Sequence, residues 1–196
     1  MIEVESIINS FYSSNTYVVK FEAKKWILVD AGDVTEVIES ATSGNVEIIG
    51  VLLTHTHYDH IYGLNCLLES YPNMVIYLSI NGKDALYSDK LNYSKYHRLS
   101  YIYKGSRLKF IDKFSVINID DHFVEILPTP GHSRDSISYK IDNFLFTGDA
   151  YIPNVKVVTN LRGGDKGEAK KSIDLIMDIL KPGIVLCPGH GKVVAI

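Results

Sequence analysis

Four side chains able to bind a cation, His55, His57, Asp59 and His60, fall within six residues of the run Thr54-His55-Thr56-His57-Tyr58-Asp59-His60. Neutral imidazole and carboxylate are ligands that zinc and related divalent ions take. Residues two apart on an extended chain point the same way, so His55 and His57 can converge on one point. Where the chain turns into a following helix, Asp59 and His60 face a second point a few ångströms away. The unpaired amides of a helix start favour the carboxylate there. Histidine is uncommon, and three of them in six positions after a hydrophobic strand are not the composition of a solvated turn.

Three further segments end an apolar run in a metal-capable group beside glycine: Leu127-Pro128-Thr129-Pro130-Gly131-His132, Phe144-Leu145-Phe146-Thr147-Gly148-Asp149 and Val185-Leu186-Cys187-Pro188-Gly189-His190. Asp30, in Leu28-Val29-Asp30-Ala31-Gly32, makes a fourth. Glycine before the ligand lets the backbone turn tightly enough for the side chain to reach a cavity at the strand ends. Any one of these reads equally well as a plain turn. Together with the histidine run they describe one site.

The elements that must deliver these groups are legible as hydrophobic patterns. Residues 16–21 and 26–32 read as a hairpin, 35–43 as a weak helix, and 46–53 as a strand buried on both faces. Ile61, Leu64, Leu67 and Leu68 recur at helical spacing until Pro72, and 74–80 is a strand. Strands follow at 114–119, 124–127, 136–141 and 144–146, with Asp142-Asn143 as a hairpin turn. Ala169, Ile173, Ile176, Met177 and Leu180 mark one apolar helical face, and Pro182-Gly183 ends it before a last strand at 184–187. Residues 87–103, with Tyr87, Tyr93, Tyr96, Tyr101 and Tyr103 among Lys90, Lys95, His97 and Arg98, keep no period and read as an insertion. That insertion is either a lid over an anionic substrate or a surface loop or dimer contact. Residues 155–165 follow Asp149 and can border the cavity, which makes Arg162 a candidate anion contact. His97 and His122 are taken as ordinary histidines.

The 196 residues carry 20 Lys and Arg against 23 Asp and Glu, a net charge of −3, with no basic stripe. That suits one domain and makes nucleic acid a poor partner. No apolar run approaches the ~20 residues of a membrane span, and Glu3 and Glu5 stand where a secretory signal is basic, so a cytoplasmic location is expected. Cys66 and Cys187 are read as buried free thiols.

From Asp30 to His190 the sequence resembles the metallo-β-lactamase-fold hydrolases, the broad superfamily that includes glyoxalase II, lactonases, some nucleases and the class B lactamases. The resemblance implies an α/β fold, a four-layer αββα sandwich with the site at one edge of its two sheets. It implies two divalent cations, zinc first, with iron or manganese compatible with the same ligands. His55, His57 and His132 would hold the first, Asp59, His60 and His190 the second, and Asp149 would bridge them. Asp30 matches the family's first acid, which supports the metal-bearing loop by hydrogen bonding. A tyrosine stands close behind the bridging acid in lactonases, and Tyr151 lies near that place as a pocket candidate. Lactamases with a cysteine ligand carry it where this chain has Asp149, which argues against that type.

The activity implied is hydrolysis of a small-molecule ester, thioester or lactone by attack of a metal-bridging hydroxide, with Asp59 and Asp149 as the catalytic acids. Two such cations, two carboxylates and one hydroxide leave a charge of about +1, which favours substrates that develop negative charge. Six residues follow His190, so the likeness is to a glyoxalase II core without its carboxy-terminal helical domain. Competing readings are a mononuclear iron persulfide dioxygenase using His55, His132 and Asp149, a phosphodiesterase, and a non-catalytic metal-binding protein.

Overall fold

Side chains of the first strands alternate between two destinations, and that alternation builds three of the layers. The computed structural model describes residues 2–21, 24–97 and 100–196; Arg98, named above as a cation of the insertion, lies outside them. Strands β1 (Glu3–Ile8), β2 (Asn15–Phe21), β3 (Lys25–Val29), β4 (Glu47–Leu52), β5 (Val75–Leu78) and β6 (Leu108–Phe110) form one sheet in that order. β1, β2 and β3 pair antiparallel, and β3 through β6 pair parallel. Val18, Leu28 and Val51 face helices α1 (Thr35–Ser43) and α2 (Leu64–Ser70), packing with Val37, Leu64 and Leu67. Their neighbours Tyr17, Val19, Ile27, Val29 and Leu52 face the opposite way.

There they meet a second sheet, β7 (Ser115–Ile119), β8 (His122–Pro128), β9 (Ile137–Ile141), β10 (Phe144–Gly148), β11 (Val185–Pro188) and β12 (Val194–Ala195), through Val124, Ile126, Tyr139 and Phe146. After the short helix α3 (Lys83–Leu86), helix α4 (Lys166–Ile179) covers the outer face of that sheet, with Ile176 against Leu127 and Leu145. The layers are therefore αββα. β8 and β10 each pair antiparallel with β9, and β10 pairs parallel with β11, so all three end on one side. Their carboxyl ends deliver His132, Asp149 and His190. β3 and β4, parallel in the other sheet, deliver Asp30 and His55.

Several elements differ from the sequence pattern. β1 and β12 were not anticipated; β1 is an edge strand whose residues are exposed or half-buried, so it carries no strong apolar alternation. α2 starts only at Leu64, after a 3-10 turn at Tyr58–His60. Tyr101 and Tyr103, read as part of an insertion, are core residues, tied down by the buried Asn92 amide, which donates to the Ala85 and Tyr101 carbonyls. Cys66 is exposed rather than buried, and both thiols are free. On α4 the buried positions are Ala169, Ser172 and Ile176, while Met177 is 51% exposed. Ser172 holds an interior position because its hydroxyl donates to the Pro130 carbonyl at 2.7 Å. No helix among the described residues is long and apolar enough to cross a membrane.

The phase of α4 is testable by urea unfolding. Ile176→Ala should lose about 2–4 kcal/mol, and Met177→Ala, one position on, within about 0.5 kcal/mol of wild type. Equal losses would place the buried face elsewhere.

Candidate metal centre

β3 stops where Asp30 enters the left-handed region, at φ 57°, which an Asp tolerates better than most residues. The turn sends its carboxylate inward, 2% exposed. Oδ1 accepts from the Thr54 amide at 2.8 Å, and Oδ2 accepts from the Thr54 hydroxyl at 2.7 Å and lies 2.8 Å from His60 Nδ1. Thr54 Oγ1 in turn stands 3.1 Å from His55 Nδ1. With its proton committed to Asp30, the hydroxyl accepts from that nitrogen. One buried carboxylate thus fixes the tautomer of His60 directly and of His55 through Thr54, leaving both Nε2 atoms facing inward, buried and without a hydrogen-bond partner. Gly148, at φ +50°, makes room for this arrangement, because a Cβ there would lie 2.4 Å from Thr54 Oγ1.

His132 and His190 are oriented in a similar way, by backbone carbonyls. His132 Nδ1 lies 3.0 Å from the Val158 carbonyl and His190 Nδ1 lies 3.1 Å from the Tyr12 carbonyl. Around the centre, His132 Nε2 is 3.0 Å from His57 Nδ1 and 3.6 Å from Asp149 Oδ2. Asp149 Oδ1 is 3.6 Å from His60 Nε2 and 3.5 Å from His190 Nε2, and Asp59 Oδ2 is 3.5 Å and 3.3 Å from the same two nitrogens. Three groups have ligand atoms mutually within 4.8 Å: His55, His57 and His132; His55, His60 and Asp149; and Asp59, His60 and His190. Ligands about 2.0–2.1 Å from a tetrahedral zinc stand about 3.3 Å apart, so these separations suit shared cations. Asp149 Oδ1 is a third buried atom without a hydrogen bond. Such atoms cost about 1–3 kcal/mol each when unsatisfied, and a cation satisfies all of them.

The electrostatics are those of a cation site. Burial works against charge on His60, but Asp59, Asp30 and Asp149 outweigh it and raise the imidazole to about 9. His190, also opposed by burial, is raised to about 10 by Asp149 and Asp59. Burial opposes ionisation of Asp149 and Asp59 too, yet His60 and His190 hold both below the usual carboxylate range. On the other side burial and His132 push His57 down to about 4, and burial with His60 lowers His55.

The seven residues proposed as ligands from the sequence are brought together, and Asp30 lies behind them. Tyr151 is not at the cleft: it packs half-buried against the cluster of Leu127, Leu145 and Ile176, which corrects its placement as a pocket residue. A cleft of about 480 Å³ opens over His57, Asp59, His132 and Asp149. A second, also about 480 Å³, shares His57 and Tyr93 with the first and is where Arg162 lies, beside Arg134, Asp84 and Asp135. Residues 155–165 do border the site, through the Val158 carbonyl.

Sequence reasoning missed the end of the loop between β1 and β2 and the first residues of β2. Ser14 donates to the Asp59 carbonyl at 2.7 Å, and Asn15 donates its side-chain amide to the carbonyls of Pro188 and Gly191, each at 2.9 Å. Tyr17 reaches the Pro188 carbonyl at 2.7 Å. These bonds join the Asp59 turn to the His190 turn. Their only trace in the sequence is a polar stretch before a strand, which any turn shows. Asp135, accepting from Thr56 Oγ1 at 2.7 Å, was likewise unmarked.

Comparison with known proteins agrees with this geometry. The profile of the Metallo-beta-lactamase superfamily matches residues 9–190. A "Probable metallo-hydrolase" of Streptococcus pyogenes is 26% identical over 97% of this chain and 84% of its own length. A hydroxyacylglutathione hydrolase of Pseudoalteromonas translucida is 30% identical over 63% of this chain, which matches 40% of that longer protein. Among solved structures, the BLEG-1 B3 metallo-beta-lactamase superposes with a TM-score of 0.89 at 25% identity, covering 98% of this chain and 93% of that one.

Two outcomes follow from the site. Asn at position 30 turns an amide donor toward His60 Nδ1 or the Thr54 hydroxyl, so Asp30→Asn should weaken Zn²⁺ binding about 10–100-fold by chelator competition; unchanged affinity would remove the carboxylate from the site's design. In chelator-treated protein at pH 7, His60 and His190 carry protons, since they are raised to about 9 and 10. A cation must displace both, so zinc loading should release roughly two protons per chain, and apparent affinity should climb with pH until those groups titrate. Calorimetry in buffers of different ionisation enthalpy measures the number, and zero release would contradict it.

Proposed function

The chain belongs to the metallo-beta-lactamase superfamily and is a metal-dependent hydrolase; we propose that it works with two divalent cations, zinc by preference, on small esters, thioesters or lactones. His55, His57 and His132 would hold one cation, Asp59, His60 and His190 the other, with Asp149 between them. The observation that carries this reading is the split of the Asp149 carboxylate, Oδ2 toward His132 and Oδ1 toward His60 and His190. When bound, the ions supply Lewis acidity and make water a nucleophile at neutral pH.

The protein's own part is orientation and proton handling. Asp59 and Asp149, aimed into the centre beside His60 and His190, would hold the cations and orient the attacking water, receiving its proton as it attacks. The water oxygen bonds to the carbonyl carbon, the bond to the alkoxide or thiolate breaks, and the proton passes to that leaving group. The thioester class is supported by the hydroxyacylglutathione hydrolases among the relatives, although this chain spans under half of their length. All seven groups are imidazole or carboxylate, a set that takes zinc and is also compatible with iron or manganese.

Metal quantification on protein purified without chelator, followed by thioester, lactone and phosphodiester panels, tests the reading. Two zinc per chain with hydrolysis is expected; a single iron with oxygen uptake would replace it by the dioxygenase alternative. Asp149→Asn should lower turnover at least about 100-fold while circular dichroism stays native. Wild-type turnover in that variant would take Asp149 out of the mechanism.

A further inference from the structure

Resting on the hydrolytic reading above, we propose that the cleft over the metal centre takes an uncharged aromatic arm of the substrate, and that Tyr12, Tyr96 and His97 set that preference. The wall is built from rings: Phe11, Tyr12, Tyr58, Tyr93, Tyr96 and His97 all line it. They come from distant parts of the chain. Phe11 and Tyr12 lie on the loop between β1 and β2, Tyr58 lies within the histidine run, and the rest belong to the 87–103 segment. Val158 and Leu161 complete the wall, and among the described lining residues there is no lysine or arginine.

The rings hold one another edge to face. Phe11 stands 4.6 Å from Tyr12 at 69°, 5.0 Å from Tyr58 at 79° and 5.4 Å from His97 at 81°. His57, one of the metal-centre residues that line this cleft, meets Tyr93 in the same way at 5.0 Å and 77°. The Tyr12 hydroxyl lies 3.0 Å from His97 Nδ1, a bond that joins two segments 85 residues apart across the rim. A guest ring entering such a frame finds edges and faces already fixed at the separations that aromatic pairs adopt.

Exposure and charge point the same way. Tyr12 is 60% and Tyr96 63% exposed, with Val158 and Leu161 also open, an apolar surface gathered beside the reacting centre rather than scattered. Away from the metal centre, the described walls of this cleft offer an anionic arm no lysine or arginine to pair with. Arg134 and Arg162 line the other cleft, together with Asp84 and Asp135. At about 480 Å³ the aromatic cleft is within the size range of small-molecule sites and admits a phenyl or naphthyl group.

Two measurements test this, one without turnover. Naphthalene-2-acetamide, titrated into chelator-treated protein and followed by its own fluorescence, should bind wild type at least fivefold more tightly than Tyr96→Ala. Tyr96 is exposed enough that its loss leaves the fold intact, and Tyr12→Phe, which keeps the ring but not the bond to His97, should weaken binding about twofold. With zinc-loaded enzyme, kcat/KM for a methyl phenylacetyl thioester should exceed that for the acetyl and succinyl counterparts at least tenfold. Tyr96→Ala should reduce the phenylacetyl-to-acetyl ratio at least fivefold, through KM. Absence of probe binding, or equal or greater efficiency with the succinyl thioester, overturns the aromatic subsite whatever the hydrolytic rate. Probe binding lost in Tyr96→Ala, with no substrate of the panel hydrolysed, supports the subsite and removes the hydrolytic reading instead.

Discussion

A single carboxyl group taken out of water, that of Asp30, constrains the whole centre: burial pushes its pKa up, and His60 and Thr54 pull against that rise. A buried carboxylate is tolerated only when its lone pairs are filled, and here the Thr54 amide, the Thr54 hydroxyl and His60 fill them. The same residue terminates β3 through its left-handed backbone, so strand end and charge network are one feature. Because His60 Nδ1 is engaged by Asp30 and His55 Nδ1 by the Thr54 hydroxyl, both Nε2 atoms face inward without a hydrogen-bond partner. The centre thus has acceptors pointing inward and donors pointing outward, an arrangement that only a cation or a proton satisfies.

Strand direction explains why the groups meet. Parallel pairing of β3 with β4 and of β10 with β11, and the double reversal from β8 through β9 to β10, put five carboxyl ends on one edge of the sandwich. Backbone in the left-handed region recurs there, at Tyr12, Ser13, Asp30 and Gly148. Such strain persists where surrounding structure over-determines it. The surroundings are the loop of Ser14 and Asn15, bonded to both the Asp59 and the His190 turns, and the close seat of Gly148 on Thr54.

The approaches to the centre are chemically unequal. One cleft is walled by rings and aliphatic side chains, the other by two arginines facing two aspartates, and His57 with Tyr93 divides them. A hydrolase that must hold two unlike halves of a substrate on either side of a scissile bond has the means to tell them apart here.

The ligand types and their place after apolar strands were legible in the sequence, because they depend on local spacing and on glycine beside the turn; the supporting part of Asp30 came from the family resemblance alone. The family resemblance and the αββα architecture it implied also stand, and the strands of both sheet interiors follow their hydrophobic alternation. What could not be read locally was decided by contacts between distant segments. Edge strands β1 and β12 bury too little to show a pattern, and Ser172 sits in the buried face of α4 because its hydroxyl donates a hydrogen bond to the Pro130 carbonyl. Tyr151 stood near the site in sequence but turned to the α4 side, whereas Tyr12 and His97, far from any motif, came to its rim. Spacing along a chain dictates which neighbours share a face; which remote side chains complete a cavity depends on how the layers stack, and that is fixed only when the core is packed.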